Sequence, residues 1–208
     1  MNIEVREGLA PKGRVTIRGY RAGAIDKVRP LAAEFMRWQR KLPFVSGQSL
    51  KQAQASLVTL KRRIDLIFDE YSLGIESTNH NLIMTGSLTG RDLLVQYLIG
   101  GTIYTGGLNY VALGTGNTAP AASDTQLTAE VARVPPALIT PVNHNQIELQ
   151  CFFPDANLAN GTYHETGSFI NASATANSGQ IFNHALLGAA YTKSNGVDTT
   201  LQFDIMLI

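Results

Sequence analysis

The chain has 208 residues, of which 44% are hydrophobic, and a formal net charge of +1. That length suffices for one sizeable core or two small ones, and the overall charge gives no reason to expect a polyanion partner. The one cysteine excludes an intrachain disulfide, and no run approaches the ~18 apolar residues of a membrane span. The charge is unevenly placed. Residues 1–75 hold 14 Lys+Arg against 7 Asp+Glu, and residues 76–208 hold 3 against 9. Such asymmetry points to two regions with different neighbours. The first 30 residues are basic and lack the apolar stretch of a signal peptide, so the expectation is a chain made in a cytoplasm.

Taken in order, residues 15–20 (VTIRGY) alternate apolar and polar and predict a short strand. A helix is expected from Pro30 to Leu42, with proline in its first turn and Leu31, Phe35, Trp38 and Leu42 on one face. The clearest periodicity follows. Leu50, Leu57, Ile64 and Tyr71 recur every seven residues, and Ala53, Leu60 and Ile67 do the same offset by three. This is a heptad seam over residues 48–71. It predicts either a hairpin with the preceding helix or an intermolecular bundle, and the two can coexist. The basic cluster Lys61-Arg62-Arg63, with Arg37, Arg40 and Lys41, reads as a solvated helical face or as a surface for an acidic neighbour. Residues 82–84 predict a short strand. Thr89 is placed as the cap of a helix over 90–99, stopped by Gly100-Gly101.

From Leu108 the chain turns to Gly, Thr, Asn, Ala and Ser. Strand-like runs at 108–114, 147–153, 162–170, 180–187 and 199–208 are separated by Asn- and Gly-rich loops, the pattern of an antiparallel sandwich. Cys151 falls inside one of these runs and reads as a small buried apolar residue. The four histidines, His80, His144, His164 and His184, show no metal-ligand spacing. The serines lack a nucleophile elbow.

Gly114-Thr115-Gly116-Asn117-Thr118-Ala119 has the form G-x-G-x-x-A after a strand-like run. A dinucleotide fingerprint needs a helix directly after the glycines and an acid about 20 residues on. Here Pro120 follows at once, and Arg133 to Pro136 offer no acid. Gly114 and Gly116 are therefore read as residues that let the backbone leave a strand and turn sharply. Asp124 and Thr125 are expected to bond nearby backbone N–H groups, and Leu127 to cover apolar surface. Glu130 and Arg133, three apart, are candidates for a pair with each other or across the sheet. Glu165 reads as an acceptor for a loop N–H or as the partner of Arg133, and the Arg133–Glu165 pair is the specific expectation.

The run ALGTGNTAPAASDTQLTAEVAR, Ala112 to Arg133, resembles a signature of structural proteins of tailed bacteriophages: a-[IL]-G-x-G-x-T-A-P, then D-T-x-L, then E-x-x-R. The resemblance continues in TYHETGSFI (162–170), in the closing stretch 181–208, and upstream in NLIMTGSLTGRDLLVQYLIGG (81–101). It covers about residues 80 to 208, and the basic helical region 20–75 is outside it. It implies a virion structural role in tail fibre, baseplate or another particle component and a β-rich distal domain, and it carries no catalytic residues; no metal or cofactor is expected from the spacing of the histidines and glycines.

The expectation is thus a mixed α+β chain in three parts: a basic helical anchoring or oligomerisation region (1–75), a connector with a short helix (76–104) and an antiparallel β-sandwich (105–208). The anchoring surface is assigned to Phe35, Trp38, Leu50, Leu57, Leu60, Ile64 and Ile67. The partners expected are tail, baseplate or fibre proteins and further copies of the chain. Two alternatives are a carbohydrate-binding module at a fibre tip, using the polar loops 115–125, 154–161 and 171–179, and a head-decoration protein.

Overall fold

The computed structural model describes residues 12–100 and 106–206. In chain order the elements are strand β1 (Lys12–Arg21), helix α1 (Ala24–Lys41), helix α2 (Gly47–Tyr71), β2 (Ser72–Ile83), helix α3 (Gly90–Leu98), β3 (Leu108–Gly114), β4 (Glu130–Val134), β5 (Leu138–Asn143), β6 (Gln146–Phe153), β7 (Gly161–Ile170), β8 (Gln180–Lys193) and β9 (Val197–Met206). The expected run 199–208 ends outside the described residues. The nine strands form one antiparallel sheet in the order β4-β3-β7-β8-β2-β1-β9-β6-β5. Among the described residues no helix is long and apolar enough to cross a membrane.

One core cluster takes side chains from every strand. Val15 and Ile17 of β1, Val111 and Leu113 of β3, Leu149, Cys151 and Phe153 of β6, Tyr163 of β7, Phe182 of β8, and Leu201, Phe203 and Ile205 of β9 are buried in it, with Ala132 and Val134 of β4 packed alongside. Strands near opposite ends of the sheet order can share one core only if the sheet curls over itself. The architecture is therefore a mixed α+β, sandwich-like fold. Period-2 alternation explains why these strands face as they do. In β9, Leu201, Phe203 and Ile205 point inward while Thr200, Gln202 and Asp204 point to the outer face. Cys151 is fully buried, and burial pushes its thiol far above the usual range, as expected of a core residue rather than a nucleophile.

Strands β1 and β2 correct the expected three-part layout. β1 lies between β2 and β9, and β2 pairs with β8. The strands of the expected anchoring region and connector are thus central strands of the same sheet as residues 108–206. β2 was foreseen only at its last residues. Its remainder, Ser72 to Asn81, is largely exposed and has only Leu73 and Ile75 as large apolar residues, too few to show an apolar alternation. β4 and β5 were also unforeseen. Both are edge strands of five and six residues without a clear apolar alternation, and β5 carries Pro141.

Helix α1 begins at Ala24, six residues before the expected start, and carries Pro30 in its interior. Gly23 adopts φ 91° ahead of it, a left-handed geometry open to glycine. The carboxylate of Asp198 in β9 accepts the N–H of Ile25 at 3.0 Å. A helix start fixed by a side chain 173 residues away has no local signature. Thr89 does precede α3, but its hydroxyl donates to the Gly86 carbonyl rather than capping the helix.

The heptad seam is covered within the chain. Ile25, Val28, Ala32 and Phe35 of α1 pack with Leu60 and Ile64 of α2 and with Leu138 and Phe152 on the outer face of β5 and β6. Trp38, Leu57 and Ile67 are half-buried beside them, and Leu50 is outside this cluster. The hairpin also shields the sheet edge, where the Ile139 N–H of β5 donates to Met36 Sδ at 3.4 Å.

Candidate functional site

The signature residues converge on a buried polar clasp. Glu165, in the middle of β7, is fully buried. Its Oε1 accepts the N–H of Gly116 at 3.1 Å and of Ala129 at 2.6 Å, and its Oε2 accepts the N–H of Thr128 at 3.0 Å. His184 of β8 lies 2.9 Å from Oε2 through Nε2, and its Nδ1 lies 2.7 Å from Asp124 Oδ2. Asp124 also accepts the Ala121 N–H at 2.9 Å. One carboxylate and one imidazole thereby hold both ends of the loop 115–129 against the outer face of β3, β7 and β8. Under that loop sits a third apolar cluster of Met84, Ala112, Leu127, Phe169, Ala172 and Ile181.

The two glycines follow from this clasp. A Cβ on Gly114 would lie 2.6 Å from the Ala129 carbonyl oxygen and from Glu165 Oε1, and one on Gly116 would collide with Glu165 Oε1 and stand 2.6 Å from Thr128 Cβ. Neither glycine has positive φ. The expected sharp turn is therefore replaced by another requirement: the carboxylate approaches the backbone too closely for any side chain.

Electrostatics bind the clasp further. Burial raises the pKa of Glu165, but His184 and the N–H groups of Ala129 and Thr128 outweigh it and leave the pKa lowered to about 2. Burial lowers the pKa of His184, and the carboxylates of Glu165 and Asp124 outweigh it, leaving it raised. The imidazolium is the form that donates from both nitrogens.

The expected Arg133–Glu165 pair is not formed. Arg133 instead makes a two-point pair with Glu130, Nε to Oε1 and Nη2 to Oε2, each at 2.6 Å, with both side chains buried. Its Nη1 donates to the carbonyls of Ser173 and Ser178, which pins the loop 171–179. Glu165 is out of its reach in function because His184 and three N–H groups already fill its acceptor positions. A double-mutant cycle on stability is expected to give a coupling above about 1 kcal/mol for Glu130–Arg133 and near zero for Arg133–Glu165.

A second constellation lies on the other half of the sheet. A cleft of about 340 Å³ between α2 and the outer face of β2, β1, β9 and β6 is lined by residues that include Arg18, Lys61, Asp65, Asp69, Glu76, Glu148, Gln150 and Gln202. Two ion pairs stand in it, Lys61–Asp65 at 2.5 Å and Arg18–Glu76 at 3.0 Å. Among the described residues Glu148 accepts from two neutral donors, Gln150 Nε2 and Gln202 Nε2, each at 3.0 Å.

No known family, characterised protein or solved structure matched the chain. Of the residues singled out from the sequence, the structure brings Gly114, Gly116, Asp124 and Glu165 into one clasp, joins Glu130 to Arg133 beside it, and collects Phe35, Leu57, Leu60, Ile64, Ile67 and Trp38 in the hairpin core. His184 was missed as the centre of the clasp. No spacing could disclose it, since its partners lie 19 and 60 residues away. The polar cleft was missed because its residues come from α2 and from the outward side of four strands, β2 among them unforeseen, and only sheet pairing brings them together.

Polar groups in the three loops expected to meet sugar are engaged internally: Asp124 with His184, Asp155 and Asn160 with Lys193, and Ser173 and Ser178 with Arg133.

Proposed function

We propose that the chain is a non-enzymatic structural component of a tailed-phage particle, a tail or baseplate protein that docks to the virion and supports neighbouring fibre or tail proteins. The observation that carries this reading is the clasp. Asp124, Glu130 and Arg133 of the run Ala112–Arg133 are bonded to the protein itself, as are Glu165 and His184. His184 is 1% exposed with a carboxylate on each ring nitrogen, and Glu165 is 0% exposed. Neither is positioned to exchange a proton with a substrate. The signature acts as scaffold, which agrees with the structural role that the resemblance implies. Exposed apolar side chains supply docking area: Phe44, Val58 and Leu66 on the hairpin, and Val95, Tyr97, Leu98 and Ile99 at α3.

Antibody labelling of purified particles tests the reading. The expected result is a fixed copy number per particle, with label at the tail end. A chain absent from particles overturns the proposal. Label confined to tail-less heads does so in favour of head decoration.

A further inference from the structure

The polar cleft and an apolar groove adjoin along one face of α2. The groove, about 620 Å³, is lined by Phe35, Leu42, Leu57, Val58, Leu66 and Pro141 among others. Lys61, Asp65 and Asp69 line both, so the two form one continuous surface. Val58 and Leu66 in the groove are 70% and 57% exposed.

The cleft carries an uncompensated negative charge. Asp65, Asp69, Glu76 and Glu148 face two cations, Lys61 and Arg18. The cations are already held by Asp65 and Glu76. Glu148 is left with two amide donors, and Asp69 has no ion-pair partner among the described residues. Gln150, also in the lining, keeps its Oε1 buried without a donor. Among the described residues the cleft therefore offers two carboxylates without an ion-pair partner, Lys61 acting on Glu148 only from beyond ion-pair distance, and a buried acceptor without a donor. All three are met by a group that is cationic and rich in N–H donors. The state of Glu148 agrees. Burial is the main cause that raises its pKa; Lys61 and the Gln150 amide offset part of the rise, and Asp204 and Asp65 add to it. A neutral polyol would leave this charge unmet. The positive balance of residues 1–75 predicts an acidic neighbour, and Arg62 lines the groove, but the cleft itself has more acids than cations and calls for the opposite charge.

We propose that this face of α2 docks a segment of a partner protein that seats an arginine or lysine side chain in the cleft and an apolar side chain in the adjoining groove. The assignment of the partner to the virion rests on the function proposed above, whereas the chemistry of the site does not.

The test is an amide-detected NMR titration of the full chain with two probes, N-acetylarginine amide and the tripeptide acetyl-Leu-Ala-Arg amide. Both are expected to give saturable shifts at the side-chain amides of Gln150 and Gln202, the tripeptide at least tenfold more tightly. Glu148→Gln is expected to weaken both probes at least tenfold while the rest of the spectrum superimposes on wild type. Leu66→Ser is expected to weaken the tripeptide alone. Absence of saturable shifts with either probe overturns the proposal, as do equal shifts from glucose or calcium that Glu148→Gln leaves unchanged. Equal affinity for the two probes overturns the partner segment in favour of a free amine ligand. Particle labelling separates this result from the parent reading. Probe binding by a chain missing from particles keeps the site and removes the virion. A particle-borne chain that binds neither probe keeps the virion and removes the site.

Discussion

Replacing Glu165 by glutamine is expected to lower the unfolding free energy by about 3 kcal/mol at pH 5.5, the largest effect of any isosteric change in the clasp. The magnitude follows from a carboxyl pKa lowered from 4.5 to about 2 in a side chain with no exposure. Glu165→Ala is expected to cost more, about 4–5 kcal/mol, because it strands the His184 cation and the N–H groups of Gly116, Thr128 and Ala129. The dependence on pH has two arms. Glu165 is depressed in the fold, so its contribution is present above pH 4.5 and fades as pH falls toward 2. His184 is raised in the fold, so its contribution is complete below pH 6.5 and fades as pH rises through the folded pKa. The difference between wild type and Glu165→Gln is therefore greatest between about pH 4.5 and 6.5 and shrinks on both sides. Urea unfolding at pH 3, 5.5 and 9 measures it. A difference that is flat across the three values would show that the clasp is not ionic.

Ile64→Asp is expected to destabilise the whole chain by at least about 4 kcal/mol and in a single transition. Ile64 is fully buried among Phe35, Leu60 and Phe152, and an unpaired carboxylate there has no donor or cation to meet it. The single transition follows from topology. α1 and α2 are inserted between β1 and β2, and those strands pair with each other in the middle of the sheet. Loss of the hairpin removes the connection that holds two central strands in register. Two residues report the two regions. Trp38, the sole tryptophan, lies in the hairpin, and Cys151, the sole cysteine, lies in the sheet core. Tryptophan fluorescence and thiol reactivity should shift together with denaturant. A Trp38 transition that moves while Cys151 protection stays would restore the three-part layout. A fall in solution mass with both probes unchanged would show instead that the seam joins separate chains.

Legibility in the sequence tracked the range of the interaction. The seam from Ala53 to Ile67 is visible because helical spacing is a local property, and α2 starts and stops within a residue of the expected bounds. The core strands β3, β6 and β7 are visible for the same reason at period two. The long polar β2 is invisible because its place is set by pairing with β1 and β8 rather than by its own pattern. The start of α1 is invisible because Asp198 sets it from β9.

The sequence by itself determined the chemistry of the parts: an α+β chain, a helix with one apolar seam, apolar-alternating strands, and a run of glycines, acids and an arginine suited to pairing. Only the tertiary structure decided the partners. Glu165 and Arg133 were both marked as pairing residues, yet sheet register set Glu165 beside His184 and left Arg133 to Glu130. The physical reason is that periodicity fixes which way a side chain points, whereas long-range strand pairing fixes what it meets there.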